Sequence, residues 1–530
     1  MQFNFENLKD LEQINTYNVI YFVTEEYVEN YLKEKGKCVC GLNCSCGEEC
    51  KCEKSPLQQV VYEYNFKAKE NEISVACMKS NNLSKVIFVG LGKEEELTSV
   101  KLEEIGYKAF KYARSNKIKT ATILVNLKLN HNNIFDYPEV LNMQPINTIV
   151  SRLIFGFSMG EYNFTKYLSE EKAKAKSFTP NSITVATKHP EELEKLFNEL
   201  NIVKDNVFFC RDLVNEPANI IYPESVVKMA KEELDKLGVE IEVLKEKDME
   251  KLGMGSLLAV GQGSDNESYM LILKWNGAAD KKEQPLAFVG KGVTFDSGGL
   301  SLKPSNAMDT MKCDMSGSAV VFSLIRLLAM RKAKVNAVAV MPLVENMPSG
   351  KSIKVGDVVK SMSGQTIEIM NTDAEGRMIL ADALYYTATK LDPKIIIDLA
   401  TLTGAICVAL GEKYAGLFTN NNELSKELEN AGNETGETVW RMPLSKLGGF
   451  YDKQIDSEIA DVRNLGKTRD GGSITAGQFL QRFINNHTKW AHIDIAATAF
   501  VNQEIYLTQK FATGYGVRLL NELIIKNYEK

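Results

Sequence analysis

The chain has 530 residues, 44% of them hydrophobic and 25% charged, with a formal net charge of -6. That length exceeds what one hydrophobic core supports and predicts at least two domains, and the balance excludes a disordered or fibrous protein. A mildly acidic chain has no global pull toward phosphate backbones or anionic lipid, so neither nucleic acid nor a membrane surface is an expected partner.

In chain order, residues 1–10 mix acidic and polar side chains without the charged-then-apolar layout of a secretory signal. No apolar run approaches the roughly 20 residues of a membrane span, and a cytoplasmic location is expected. Such a compartment keeps thiols reduced, so the 10 cysteines do not predict disulfides. Six of them form three Cys-x-Cys pairs, Cys38 with Cys40, Cys44 with Cys46 and Cys50 with Cys52, repeating every six residues in an insertion over 37–53. Thiolates at i and i+2 can point to one side of an extended segment and share a soft ion. The spacing resembles metallothionein clusters and suggests Cu(I), Zn²⁺ or Cd²⁺. Reversible oxidation is the second reading, and a solvated insertion without function the third.

Short apolar runs at 19–23, 86–90 and 120–125, separated by Lys- and Glu-rich amphipathic stretches, predict alternating strands and helices. They place a smaller N-terminal α/β domain over 1–180. The charged helical pattern that follows predicts a helical linker over 181–210, broken near the junction by Asn215-Glu216-Pro217-Ala218-Asn219. Residues 211–530 read as a larger α/β domain with a mixed central sheet, because buried-strand runs at 286–290, 335–341 and 395–399 each lead into a polar or Gly-containing loop. In such sheets functional loops gather at the carboxyl ends of the strands.

Three of those loops carry chemistry. The first reads Gly290-Lys291-Gly292-Val293-Thr294-Phe295-Asp296-Ser297-Gly298-Gly299 and continues to Lys303-Pro304; the second holds Asp314 before an apolar helical run; the third is Asn371-Thr372-Asp373-Ala374-Glu375-Gly376-Arg377, opening a helix with Leu380, Leu384 and Leu391 on its apolar face. Taken singly, an exposed Asp is usually a helix cap and a loop Lys is usually solvated. Together, four carboxylates would crowd unless cations neutralised them, and oxygen donors in that number suit divalent ions. With only 4 histidines in the chain and none in these loops, a His-based zinc site is not expected.

These motifs resemble the leucyl aminopeptidases, also called cytosol aminopeptidases. The resemblance rests on the run from Asn371 to Leu380 with Ala381-Asp382 following, and on the segments 211–219, 260–267, 291–304, 400–405 and 490–497. It implies a metallo-exopeptidase that removes N-terminal residues, preferentially apolar and Leu-type, with a water activated by two metal ions per subunit. By that resemblance one ion is held by Lys291, Asp296, Asp314 and Glu375, and the other by Asp296, Glu375 and Asp373, the last adding its backbone carbonyl. Zn²⁺ or Mn²⁺ is implied, with Co²⁺ and Mg²⁺ as further options. Lys303 is implied to stabilise the oxyanion, Arg377 to hold a bicarbonate that shuttles a proton, and Met311, Thr401 and Gly404 to line the pocket for the first side chain. A homohexamer built as a dimer of trimers is implied as well.

Rival readings are few. A dipeptidase acting mainly on Cys-Gly in thiol turnover shares the mechanism and differs only in substrate. A DNA-binding architectural role finds no basic stripe here. Asp296-Ser297-Gly298-Gly299 is similar to the nucleophile loop of chymotrypsin-like proteases, but Phe295 stands where those have glycine. Gly261-Gln262-Gly263 and Gly90-Leu91-Gly92-Lys93 complete no phosphate-binding pattern and read as turns. His492 and Trp490 read as satisfied core residues.

Overall fold

Runs of Val, Ile, Leu and Phe too short for helices become strands, and they assemble into one principal sheet in each of two compact units, Met1–Lys204 and Asp205–Lys530. A computed structural model describes residues 1–7, 17–35, 56–77, 84–126, 146–485 and 487–529. The Cys-x-Cys pairs of 38–52 therefore lie outside the described residues.

The first unit holds β1 (Gln2–Asn7), β2 (Asn18–Val23), β3 (Ile73–Cys77), β4 (Lys85–Gly90), β5 (Thr120–Asn126) and β6 (Ser182–Thr187) in the order β1-β6-β5-β2-β4-β3. All neighbours are parallel except β3, which runs antiparallel to β4 at the edge. The parallel interior needs cover on both faces. Helices α1 (Ser99–Ser115) and α2 (Ile146–Met159) pack with β2, β4 and β5 in one core that includes Phe22, Val89, Phe110, Ile123, Leu153 and Phe157.

The expected helical linker over 181–210 begins differently: β6 pairs with both β1 and β5, inside the first sheet. Alternating burial along Ser182–Thr187 is a strand pattern, and the pairing it earns outweighs the charged context after it. The helix α3 then runs Pro190–Asn215 without a break, so the division between units falls within a helix and not at the turn that follows it.

The second unit holds β7 (Glu240–Lys245), β8 (Tyr269–Asn276), β9 (Leu286–Gly290), β10 (Gly292–Asp296), β11 (Asn336–Asn346), β12 (Ile395–Ala400), β13 (Ala415–Thr419), β14 (Val439–Arg441) and β15 (Lys489–Asp494). Their order is β14-β13-β15-β12-β9-β11-β8-β7, with β10 alongside β11. The central strands β15, β12, β9 and β11 are parallel, while β8 and β13 run against them, so the sheet is mixed. Every residue of β9, β11 and β12 is buried, as expected of strands covered on both faces. Helices α4 (Ser316–Met330) and α5 (Glu375–Lys390) supply cover and are themselves mostly buried. The stretch Ser305–Met330 contains an 18-residue window that is apolar enough to cross a membrane, but 89% of that window is enclosed in this fold.

Candidate active site

The carboxyl ends of β9, β10 and β12 and the starts of α4 and α5 converge on one nest. Lys291 leaves β9 with its backbone N–H bonded to Leu399 O at 3.0 Å, which ties the first loop to β12. Asp314 lies in the turn Met311–Met315 immediately before α4, and Asp373 and Glu375 bracket the start of α5. A helix start concentrates unpaired N–H groups and favours negative charge, which is one reason two carboxylates are tolerated there.

Lys291 Nζ reaches Asp314 Oδ1 at 2.7 Å, Glu375 Oε1 at 2.9 Å and the Thr401 carbonyl at 2.8 Å. Three acceptors match the three hydrogens of an ammonium. Burial by itself would lower the Lys291 pKa, but the Asp314, Glu375 and Asp296 carboxylates together raise it above the usual lysine range. Gly376 makes this approach possible, because a Cβ there would stand 2.6 Å from Lys291 Cε. Lys303 lies between the other two carboxylates, with Nζ 2.8 Å from Asp296 Oδ2 and paired also with Asp373 Oδ1. Gly298, at φ +87°, lets the loop turn there, and a Cβ at this position would come 2.8 Å from Asp373 Oδ1.

Two lysines do not neutralise four carboxylates. Burial raises the Asp314 pKa well above the ordinary carboxylate value, Lys291 opposing and Glu375 and Asp296 adding to it. Burial and Glu375 raise Asp296 likewise, and burial and Asp296 raise Asp373. Oxygens of Asp296, Asp314 and Glu375 lie within 4.8 Å of one another, all three residues buried, and among the described residues Asp314 Oδ2 and Glu375 Oε2 find no hydrogen-bond partner. Buried carboxylate oxygens left without donors and facing like charges fit a divalent cation.

The remaining expected residues fall around this nest. Thr401 is bound into it through its carbonyl and through its hydroxyl, which donates to Asp314 Oδ1 at 2.8 Å. Met311 opens the turn that carries Asp314, half-buried; Gly404 begins helix α6 (Gly404–Leu410) with nothing within 4 Å of where a Cβ would stand. Arg377 is buried on α5 with Nη1 2.9 Å from Asn464 O and Nε without a partner, and burial brings its pKa down to about 10 despite Glu375 and Asp494. Ser297 donates to Asn346 O at 2.6 Å and is part of the scaffold. Trp490 Nε1 and His492 Nδ1 both meet Asp398, at 2.7 and 2.5 Å, in the buried core.

Three contributors escaped sequence reasoning. Asn346 bonds Asp296, Thr372 donates its hydroxyl to Gly298 O at 2.6 Å, and Asn464 holds the third loop by accepting from Met370 N and donating to Asn371 O. The signal for Asn346 was position: it ends a long buried strand just before Pro348-Ser349-Gly350, where loops of such sheets gather.

A mixed α/β sheet bearing a buried acidic nest at its strand ends defines a protein fit to hold divalent metal, and similarity to known proteins says which class. The model of the cytosol aminopeptidase family's catalytic domain matches residues 208–521, and that of its N-terminal domain matches 51–171. A probable cytosol aminopeptidase of Rhodopseudomonas palustris is 47% identical over 465 residues, covering 88% of this chain and 89% of the relative. One from Wolbachia pipientis is 47% identical over 446 residues, covering 84% of each. Among solved structures, a mutant of tomato leucine aminopeptidase superposes with a TM-score of 0.81 at 28% identity, covering 99% of this chain and 97% of the other. The bottromycin maturation enzyme BotP in complex with Mn superposes with a TM-score of 0.77 at 27% identity, covering 95% and 98%. The chain belongs to the cytosol aminopeptidase family and is a metal-dependent aminopeptidase.

Proposed function

We propose that this aminopeptidase removes apolar, Leu-type first residues from unblocked peptides, using two divalent cations held by Lys291, Asp296, Asp314, Asp373 and Glu375. The observation that carries this reading is the buried meeting of Asp296, Asp314 and Glu375, with Asp314 Oδ2 and Glu375 Oε2 lacking a donor among the described residues. Bound there, the cations would polarise the scissile carbonyl and lower the pKa of a water toward neutrality.

Asp296 and Glu375 would serve both ions, Asp373 would add its backbone carbonyl, and Lys291 would bind as the free amine, since a dication nearby would depress its pKa. Lys303, the more exposed lysine at 15% against 3% for Lys291, keeps its charge and stabilises the oxyanion of the tetrahedral intermediate. Arg377, with its buried unpartnered Nε, is the residue to hold a bicarbonate that moves the proton. The open space beside Gly404, with Met311 and Thr401, supports a pocket for an apolar first side chain.

Zn²⁺ or Mn²⁺ is the native ion, Co²⁺ and Mg²⁺ being the alternatives, and the enzyme works in the cytoplasm as a homohexamer. Leu-peptides are cleaved and their N-acetylated counterparts are not, since the free amine is needed at the metal. Chelation abolishes activity and Mn²⁺, Co²⁺ or Zn²⁺ restores it. Equal rates on blocked and free peptides would overturn the reading, faster turnover of Cys-Gly than of Leu substrates would overturn the specificity, and a monomeric mass by light scattering of active protein would overturn the assembly.

A further inference from the structure

Asn346 is a buried amide at the seam of the two loops that carry Asp296 and Asp373, and neither charge nor nucleophilicity explains it. It is the last residue of β11 and stands directly opposite Asp296 of β10, after a register shift between Val293 and Phe295 that re-aims the end of β10. Its backbone carbonyl accepts from Ser297 N at 3.0 Å and Ser297 Oγ at 2.6 Å, which fixes the main chain on both sides. Its Nδ2 donates to Asp296 Oδ1 at 2.8 Å and to the Thr372 carbonyl at 3.0 Å. Both of those atoms are acceptors, so the amide must present its NH₂ to them, and both of its hydrogens are used.

The consequence lies in Asp296. Its Oδ1 accepts from Asn346 Nδ2 and from Gly298 N, each at 2.8 Å. Two neutral donors occupy the two lone pairs of that oxygen, and capacity for a cation remains on Oδ2, the oxygen now facing Lys303 at 2.8 Å. The same amide ties Asp296 to Thr372, the residue before Asp373, and so couples the first loop to the third. The two loops run tightly past it: a Cβ on Gly299 would come 2.8 Å from Asn346 Oδ1 and 3.0 Å from Thr372 Oγ1.

We infer that Asn346 is a positioning residue that engages Oδ1 of Asp296, so that Oδ2 is the oxygen left to face the two proposed cations, and that it sets the spacing between the donors of the two loops. This rests on the proposed metal site. Groups that orient metal ligands in this way govern affinity by about 10- to 100-fold.

The test is titration of the metal-free full-length protein with Mn²⁺ by calorimetry, paired with the denaturant midpoint of the same sample. Asn336→Ala is the control, because Asn336 also uses its amide to hold two backbone carbonyls, Asp280 O and Glu283 O at 3.0 Å each, away from the nest. Asn346→Ala weakens Mn²⁺ binding by about 10- to 100-fold, whereas N336A lowers the midpoint and leaves Mn²⁺ affinity at the wild-type value. Should N346A not fold, N346S is read the same way, its side chain being too short to span both acceptors. Wild-type Mn²⁺ affinity in a folded position-346 variant, or an equal loss of affinity in N336A, overturns the inference. Failure of the wild-type protein to bind Mn²⁺ needs no variant to see and overturns the metal site together with it.

Discussion

Lys291 and Lys303 stand in one acidic nest, yet their surroundings differ, and the tasks proposed for them differ accordingly. Lys291 is bound by Asp314, Glu375 and the Thr401 carbonyl at 3% exposure, where an amine can serve only those neighbours or an ion among them. Lys303 bridges Asp296 and Asp373 from a more open position. Asp373→Ala and Glu375→Ala are therefore expected to lose bound metal and activity together. Lys303→Ala is expected to keep its metal and lose turnover by about 10²- to 10³-fold, the usual cost of one oxyanion donor. Metal content by elemental analysis beside kcat separates the two classes, and a K303A enzyme with normal turnover would remove Lys303 from the mechanism. These charged residues were legible in sequence because carboxylates and lysines declare themselves at loop positions. Asn346 and Thr372 were not, since an uncharged amide or hydroxyl acquires its role only from what folds against it.

At the scale of elements, α5 shows how a helix can hold a site without being amphipathic. Thirteen of its 16 residues are buried, so no polar face marks its orientation, and Leu391, expected on its apolar face, falls just past its end. Orientation comes instead from Asp382, two turns in, whose Oδ2 accepts from Leu257 N at 2.8 Å and Oδ1 from Met362 N at 2.7 Å. Burial pushes this carboxyl up to about 7, against the backbone N–H groups of Met362, Leu257 and Ser256, which favour the charged form. Its folded pKa thus exceeds its unfolded one near 3.8, and the stability that its retained proton contributes is lost as pH rises from about 4 to about 7. Asp382→Asn lacks that titration and turns an NH₂ toward one backbone N–H, at a cost of about 1–3 kcal/mol. The free-energy gap between wild type and D382N, from denaturant unfolding of metal-free protein, should shrink over that window and stay level above it. A gap independent of pH would show that Asp382 is ionised throughout.

At the scale of the whole chain, the carboxylate and lysine nest belongs to the second unit, and the sequence feature that the family resemblance leaves unaccounted for is the run of Cys38, Cys40, Cys44, Cys46, Cys50 and Cys52. Its regular spacing carries the expectation of soft-metal binding independent of peptide cleavage. Replacing all six by Ser should leave turnover in added Mn²⁺ nearly unchanged and remove thiolate-bound metal from anaerobically purified protein. No metal beyond the catalytic ions in the wild type, and none taken up on Cu(I) or Zn²⁺ titration, would end that expectation.

Buried-strand runs and the gathering of four carboxylates and two lysines in three loops by themselves determined the α/β class and pointed to divalent ions, because strand burial and ion coordination both demand particular residue types; the family, and with it the ligand roles of Lys291, Asp296, Asp314, Asp373 and Glu375, followed from the resemblance carried by the run from Asn371 to Leu380. The tertiary structure decided what residue types cannot. It put β6 into the first sheet where a helical linker was expected, because a strand's value depends on the neighbours β1 and β5 contributed from far along the chain. It likewise made Asn346, 50 residues from Asp296, the donor to that carboxylate, because a hydrogen bond is set by direction and distance in space, which no one-dimensional pattern records.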